Sequence, residues 1–214
     1  VIDAEIAPLG ANELGETQSV IFGDTFDKIR DDMAADANPA SEAFVSQLPS
    51  EGAFDASLPD GSFSLNGMAA TRANLLALGV GTDELTGPFS QYEPGVRRDA
   101  AMTFSSDYPF DYDRSDGISL GKYDFVGVAI HEIGHSLGFV SSVDQVDFYM
   151  GQGGSHAVAP TPLDLFRLQP GQGGSNFGSA GRVLSPAGGD QVTYDGGLFN
   201  PSGLSMGGLA RGDI

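Results

Sequence analysis

Two of the chain's three histidines, His131 and His135, flank Glu132 in the run HEIGHSLGFVSSVD at residues 131–144. On an α-helix, residues four apart lie about 40° apart around the axis and one turn up. His131 and His135 therefore aim two imidazoles at one point, a spacing that suits zinc. Glu132 sits beside that face, within reach of a zinc-bound water. Zinc lowers the pKa of such a water to near 7 and polarises a carbonyl. Glu132 then has the place of a general base that takes the water's proton and passes it to a leaving amine. That is the chemistry of peptide-bond hydrolysis.

The motif needs a helix and a turn to position it. KYDFVGVAIHEIGHSLGF reads as a helix of about four turns, with Phe125, Val128, Ile133 and Leu137 as residues that bury its other faces. Gly138 is free to adopt a left-handed conformation and end that helix. Phe139 and Val140 are then expected to be buried as the chain leaves the turn. Upstream, a strand is expected near Val1–Ile6. A helix follows Thr25, with Phe26, Ile29 and Met33 at helical spacing and Asn38-Pro39 as its stop. A second short helix is expected over Ser41–Leu48, and a strand over Ser62–Leu65. GMAATRANLLALG then reads as a helix capped by Asn66 and ended by Gly79. AAMTFS, Ala100–Ser105, reads as a strand. Residues 151–214 hold 16 of the 31 glycines, and there only PLDLFRL reads as helical.

The expected fold class is α+β, with residues 1–150 carrying the motif helix and 151–214 forming an irregular, glycine-rich lobe. No run approaches the ~18 apolar residues of a membrane span. The net charge of −19, with Lys28 and Lys122 the only lysines, repels nucleic acid and anionic membrane. Without cysteine, a transition-metal site must use His, Asp or Glu.

A zinc site of this kind needs a third protein ligand, and the position six past His135 is Ser141, whose neutral hydroxyl binds zinc poorly. No glutamate follows Glu132. Candidates within the chain are Asp144, Asp147, His156 and Asp164. The leading expectation places the ligand beyond Ile214, the chain being a piece of a longer protein. Met206 pairs with His156 in the reading where His156 is the ligand, as a methionine beneath the metal.

The HExxHxxG pattern has the metzincin form. DFVGVAIHEIGHSLGFVSSVD, with MTFSSDYPFDYDRSDG upstream and TPLDLFR downstream, resembles a group of exported bacterial metalloproteases. The HExxHxxGF core is similar to that of leishmanolysin-type metzincins, whose third histidine follows a long insertion beside a tryptophan. The resemblance implies a twisted mixed sheet backed by helices, a zincin active-site helix beneath a cleft, and a secreted or cell-surface bacterial peptidase acting on peptides or proteins. It carries over His131 and His135 as zinc ligands, Glu132 as base and Gly138 as the turn. It also implies that Ala100–Ser105, with Met102, Thr103 and Phe104 at its centre, is the strand that pairs with substrate. This chain lacks the His-Trp pair.

Three further features carry expectations. Asp107, Asp111, Asp113 and Asp116 crowd one loop and are candidate calcium ligands, although their spacing is not that of an EF-hand. Arg211-Gly212-Asp213 matches an adhesion tripeptide that a glycine-rich tail produces by chance. A latent-enzyme reading has Val1–Gly23 shield the cleft, with Asp3 or Asp24 as the blocking carboxylate. Against the peptidase stands a different class, an exported surface or binding protein that keeps a metal and little activity.

Overall fold

A computed structural model describes residues 1–81, 98–168, 172 and 177–186, with the backbone of 192–193 and 204–205. Met206 and Arg211–Asp213 lie outside the described residues. The fold is α+β. In place of one large twisted sheet, the described strands form five small sheets.

The sheet that positions the motif has three strands: β1 (Ile2–Ala7), β2 (Gly15–Ser19) and β7 (Ala100–Ser105). β7 is central, parallel to β1 and antiparallel to β2. Its alternate residues Met102 and Phe104 point into a small core with Phe110, against which Phe125, Val128 and Ala129 of the motif helix pack. The strict period of two in a strand makes this one-faced burial possible.

β3 (Ile21–Asp24) pairs antiparallel with β6 (Met68–Thr71). Between them in sequence, β4 (Ala56–Ser57) and β5 (Phe63–Leu65) are short. Helix α1 (Phe26–Asp36) follows Thr25 as expected, with the Thr25 hydroxyl accepting from Lys28 N–H as its cap. Phe26 and Ile29 bury its apolar side. The expected helix over 41–48 is a single 3-10 turn, Ala43–Gln47. Residues 67–79 divide: Met68–Thr71 extend as β6, and only Arg72–Ala77 are helical, as α2. Thr71 rather than Asn66 is the cap, its hydroxyl accepting from Asn74 N–H. Pairing with β3 overrides the helical tendency of the first half, a tertiary effect on a short segment.

The motif helix α3 spans Phe125–Ser136, and α4 spans Val143–Tyr149, a segment to which the sequence reading assigns no element. Ahead of the motif helix, β8 (Phe110–Asp111) pairs parallel with β9 (Tyr123–Asp124). β10 (His156–Val158) adds parallel to β5, and a 3-10 turn covers Leu163–Phe166. β11 (Arg167–Leu168) and β12 (Arg182–Val183) join β4 in a further sheet. The main core crosses residue 150: Phe22, Phe26, Ile29, Met68 and Val143 pack with Leu165, Leu168, Phe177 and Leu184. Leu165, Leu168, Phe177 and Leu184 are thus built into the same core as the first half. Arg182 is fully buried there, stacked on Phe177 with its guanidinium 5.1 Å from the ring centroid and donating from Nε to Leu165 O. Burial lowers its pKa to about 10. Among the described residues no helix is long and apolar enough to cross a membrane.

Candidate metal centre

Helix α3 begins at Asp124, whose carboxylate accepts from Val126 N–H, and ends in a Schellman turn. Phe139 N–H bonds Gly134 O at 3.0 Å and Gly138 N–H bonds His135 O at 3.1 Å, the two bonds that define that motif. Gly138 has φ +102°, the left-handed conformation its sequence position suggests. Asn74 of α2 donates from Nδ2 to Leu137 O at 2.9 Å, closing the helix end from outside. A Cβ on Gly138 would run into that carboxamide.

The turn aims a backbone carbonyl at a metal-ligand candidate. His135 Nδ1 lies 2.8 Å from Phe139 O. A carbonyl can only accept, so Nδ1 carries the proton and Nε2 presents its lone pair. This is the outer-shell arrangement that fixes a ligating imidazole. His131 Nε2 is 3.0 Å from His135 Nε2, with the rings nearly perpendicular at 89°. Two nitrogens on a tetrahedral zinc at ~2.0–2.1 Å stand about 3.3–3.4 Å apart. The pair is within a few tenths of an ångström of the separation a shared ion would require, and as it stands the distance is that of a hydrogen bond between the two rings.

Glu132 is buried to 4% exposure. The Thr17 hydroxyl lies 2.7 Å from Glu132 Oε2 and 3.1 Å from Glu132 O. One helical turn on, Ser19 Oγ donates to His135 O at 3.0 Å. Strand β2 thus grips the motif helix through alternate side chains. Gly15, the next residue on that face, leaves room for the carboxylate: a Cβ there would sit 2.6 Å from Glu132 Oε1. A cleft of about 360 Å³ is lined by β2 residues Gly15, Glu16 and Thr17, by His131, Glu132 and His135, and by Asp144 of α4.

The four in-chain candidates for a third ligand separate here. Asp144 is exposed in the first turn of α4 and lines the same cleft as both histidines. Asp147 is exposed on α4 but is not among the cleft residues. His156 lies on β10, stacked on Tyr149 with ring centroids 4.4 Å apart and flanked by Phe63. Asp164 is fully buried and accepts from Ser141 Oγ, from Ser142 N–H and Oγ, and from Thr161 N–H. Ser141 therefore has a structural task, tying the chain after Gly138 to Asp164. Among the described residues, no three His, Asp or Glu side chains converge closely enough to hold an ion as they stand.

Three sequence expectations need correction. β7 cannot pair with an added strand through Met102, Thr103 and Phe104, because β1 and β2 occupy both its edges; strand addition needs an open edge. β2 is the edge strand beside the cleft, a role that nothing in GETQS signals. Residues 15–17 line the cleft consecutively; since successive side chains alternate faces, the cleft opens along the strand's edge. Ile133, Leu137 and Phe139 are exposed, Leu137 to 55% and Phe139 to 52%, since only the β2–β7 side of α3 is covered by described residues. Thr17, Ser19, Glu16 and Asn74 were invisible as site residues, because the strand and helix that carry them lie far from 131–135 in sequence.

The aspartate-rich loop uses its carboxylates on its own backbone. Asp111 Oδ1 accepts from Asp113 N–H and Oδ2 from Ser119 N–H at 2.9 Å, while Asp113 Oδ1 accepts from Ser115 N–H. Asp107 and Asp116 are exposed. Hydrogen bonding from Ser119 and Asp113 holds the Asp111 carboxyl below the usual range, and Ser115 does the same for Asp113. Lowered folded-state values mean the stabilisation is full above the ordinary carboxylate pKa and fades as pH falls below it. Carboxyl carbon NMR titration should place both Asp111 and Asp113 below the ordinary aspartate value; midpoints at that ordinary value would contradict the loop's hydrogen bonding.

Comparisons with protein-family models, with curated proteins and with solved structures find nothing that matches the chain.

Proposed function

We propose that the chain is a zinc-dependent endopeptidase of the metzincin type, secreted or at the cell surface of a bacterium and acting on peptides or proteins. The observation that carries this reading is the pair of Nε2 atoms 3.0 Å apart, one ring fixed by Phe139 O, beside a buried Glu132 in one cleft. His131 and His135 would hold the ion. Asp144 is the proposed third ligand, since it is the other aspartate or histidine candidate on that cleft. Zinc, when bound, supplies an acidified water and polarises the scissile carbonyl.

The chain's own groups do the rest. Thr17 holds Glu132 Oε2, which leaves Oε1, facing Gly15, as the oxygen that accepts the proton and returns it to the leaving amine. The edge of β2 that no described strand occupies offers backbone groups to an extended peptide laid along the cleft, which would hold the scissile bond over the histidines. An exported protein that only stores an ion in the same histidine pair is the competing reading. Calcium in the aspartate loop gains no support from carboxylates that already serve that loop's own backbone.

Asp144→Asn should weaken zinc binding by more than the ~10–100-fold typical of losing an outer-shell partner, while Asp147→Asn leaves it unchanged. Competition with a chromophoric chelator measures both. Equal affinity in the two variants would move the third ligand elsewhere, including beyond Ile214. The function itself is tested by zinc-loaded protein on an unstructured protein substrate, where the outcome against the reading is no hydrolysis across a broad peptide library.

A further inference from the structure

The last carbonyls of a helix have no partner within it. In α3 two of them are held by side chains from distant segments: His135 O accepts from Ser19 of β2 at 3.0 Å, and Leu137 O accepts from Asn74 Nδ2 of α2 at 2.9 Å. The Asn74 carboxamide is itself fixed from behind. The Thr71 hydroxyl donates to Asn74 Oδ1 at 3.1 Å and accepts from Asn74 N–H at 3.2 Å. A hydroxyl donor on one side and a carbonyl on the other leave one orientation for the amide. Thr71 is fully buried and paired with Ile21 of β3, and Leu75 anchors α2 in the main core. Asn74 therefore projects from a rigid corner onto the end of the motif helix. Two residues after Leu137, Phe139 O lies 2.8 Å from His135 Nδ1. With that proton given to Phe139 O, His135 Nε2 is the acceptor in its 3.0 Å contact with His131 Nε2. The turn thus decides which nitrogen of His135 faces His131.

We propose that Asn74 is a positioning residue of the metal centre: through Leu137 O it holds the Gly138 turn so that Phe139 O keeps His135 protonated at Nδ1 with Nε2 presented to the ion. The proposal rests on the reading that His131 and His135 share a zinc ion, and not on peptidase activity. Asparagine suits the place because it accepts from Thr71 and donates to Leu137 O at once. Aspartate keeps the acceptor for Thr71 but offers Leu137 O no proton. It also sets a carboxylate against the carbonyl end of α3, where the helix dipole disfavours an anion. Losing the direct partner of a ligating imidazole weakens metal binding by ~10–100-fold. Asn74 acts one link further out, which places its effect at about tenfold, the lower end of that range.

The experiment pairs two readouts on the full chain. Zinc affinity is measured by competition with a chromophoric chelator. Nitrogen-15 NMR of the His135 ring is recorded on metal-free protein at about pH 8, where a histidine of ordinary pKa is neutral. Wild type should show the Nδ1-protonated tautomer. Asn74→Asp and Asn74→Ala should bind zinc about tenfold more weakly and show His135 as a mixture of tautomers. An added negative charge by itself attracts a cation, so weaker binding in Asn74→Asp isolates the missing donor. Ile29→Val thins the main core away from the turn and should match wild type in both readouts. Wild-type affinity in both Asn74 variants overturns the proposal, as does an unchanged His135 tautomer. Equal weakening in Ile29→Val also overturns it, because the effect is then one of general stability. If wild type takes up no zinc, the histidine-pair reading fails instead. The metal-free spectra then decide alone: a tautomer change in the Asn74 variants and not in Ile29→Val upholds the positioning role, and no change removes it.

Discussion

Glu132→Gln is expected to lower kcat for peptide hydrolysis by roughly 10²–10⁴-fold, the range for removing a general base, while zinc stoichiometry and affinity stay at wild-type values. The substitution is nearly isosteric. The Thr17 hydroxyl still finds an oxygen acceptor on the new amide, so the grip of β2 on α3 is kept. What is lost is the ability to take a proton at Oε1. Because Glu132 is not one of the groups proposed to hold the ion, metal retention in the variant separates a chemical defect from a collapsed site. The same variant divides the two classes of function. A peptidase loses activity and keeps zinc; a binding protein shows wild type and variant equally inert, with zinc in both.

Gly138→Ala is expected to have the largest effect on the fold around the site. The residue sits at φ +102°, where a non-glycine residue costs about 1–2 kcal/mol. Its new Cβ would also collide with Asn74, forcing out the carboxamide that bonds Leu137 O at 2.9 Å. Losing that hydrogen bond adds about 0.5–1.5 kcal/mol. Together the variant should lose about 1.5–3.5 kcal/mol of unfolding free energy, the sum of those two terms, and unfold at a lower denaturant midpoint. A second consequence follows from the turn. Phe139 O orients His135 through a 2.8 Å contact, and a shifted turn loosens it, which should weaken zinc binding by ~10–100-fold. Denaturant melts and zinc competition measure the two effects. Wild-type stability in the variant would mean that the Schellman turn does not require glycine here.

Local chemistry was readable where it depends on neighbours in sequence. The i,i+4 histidines around Glu132 folded as a helix, Gly138 adopted the left-handed turn, a helix followed Thr25, and Ala100–Ser105 formed a strand. Each of these rests on helix or strand periodicity or on the conformational range of one residue type, and those properties travel with the residues themselves. Segments near the balance of two propensities went the other way. Met68–Thr71 became a strand because β3 was there to pair with it, and residues 143–149 became a helix where the sequence reading assigned none.

The surroundings of the site were settled only by tertiary structure. Glu132 alone says nothing of Thr17, yet the 2.7 Å bond across 115 positions fixes which carboxylate oxygen is free. The strand expected to pair with substrate is the middle of its sheet, and among the described strands β2 is the edge beside the cleft, because strand order is set by which faces bury together and not by nearness to the motif. The third-ligand candidates look alike as residue types. Burial against Ser141, Ser142 and Thr161 makes Asp164 a structural anchor, while Asp144 reaches the histidine cleft. Sequence determined the histidine pair, the glutamate between them and the turn, since these follow from helical spacing and one glycine. The tertiary structure decided which groups face them, because contacts between distant segments depend on how the whole chain buries its apolar surface.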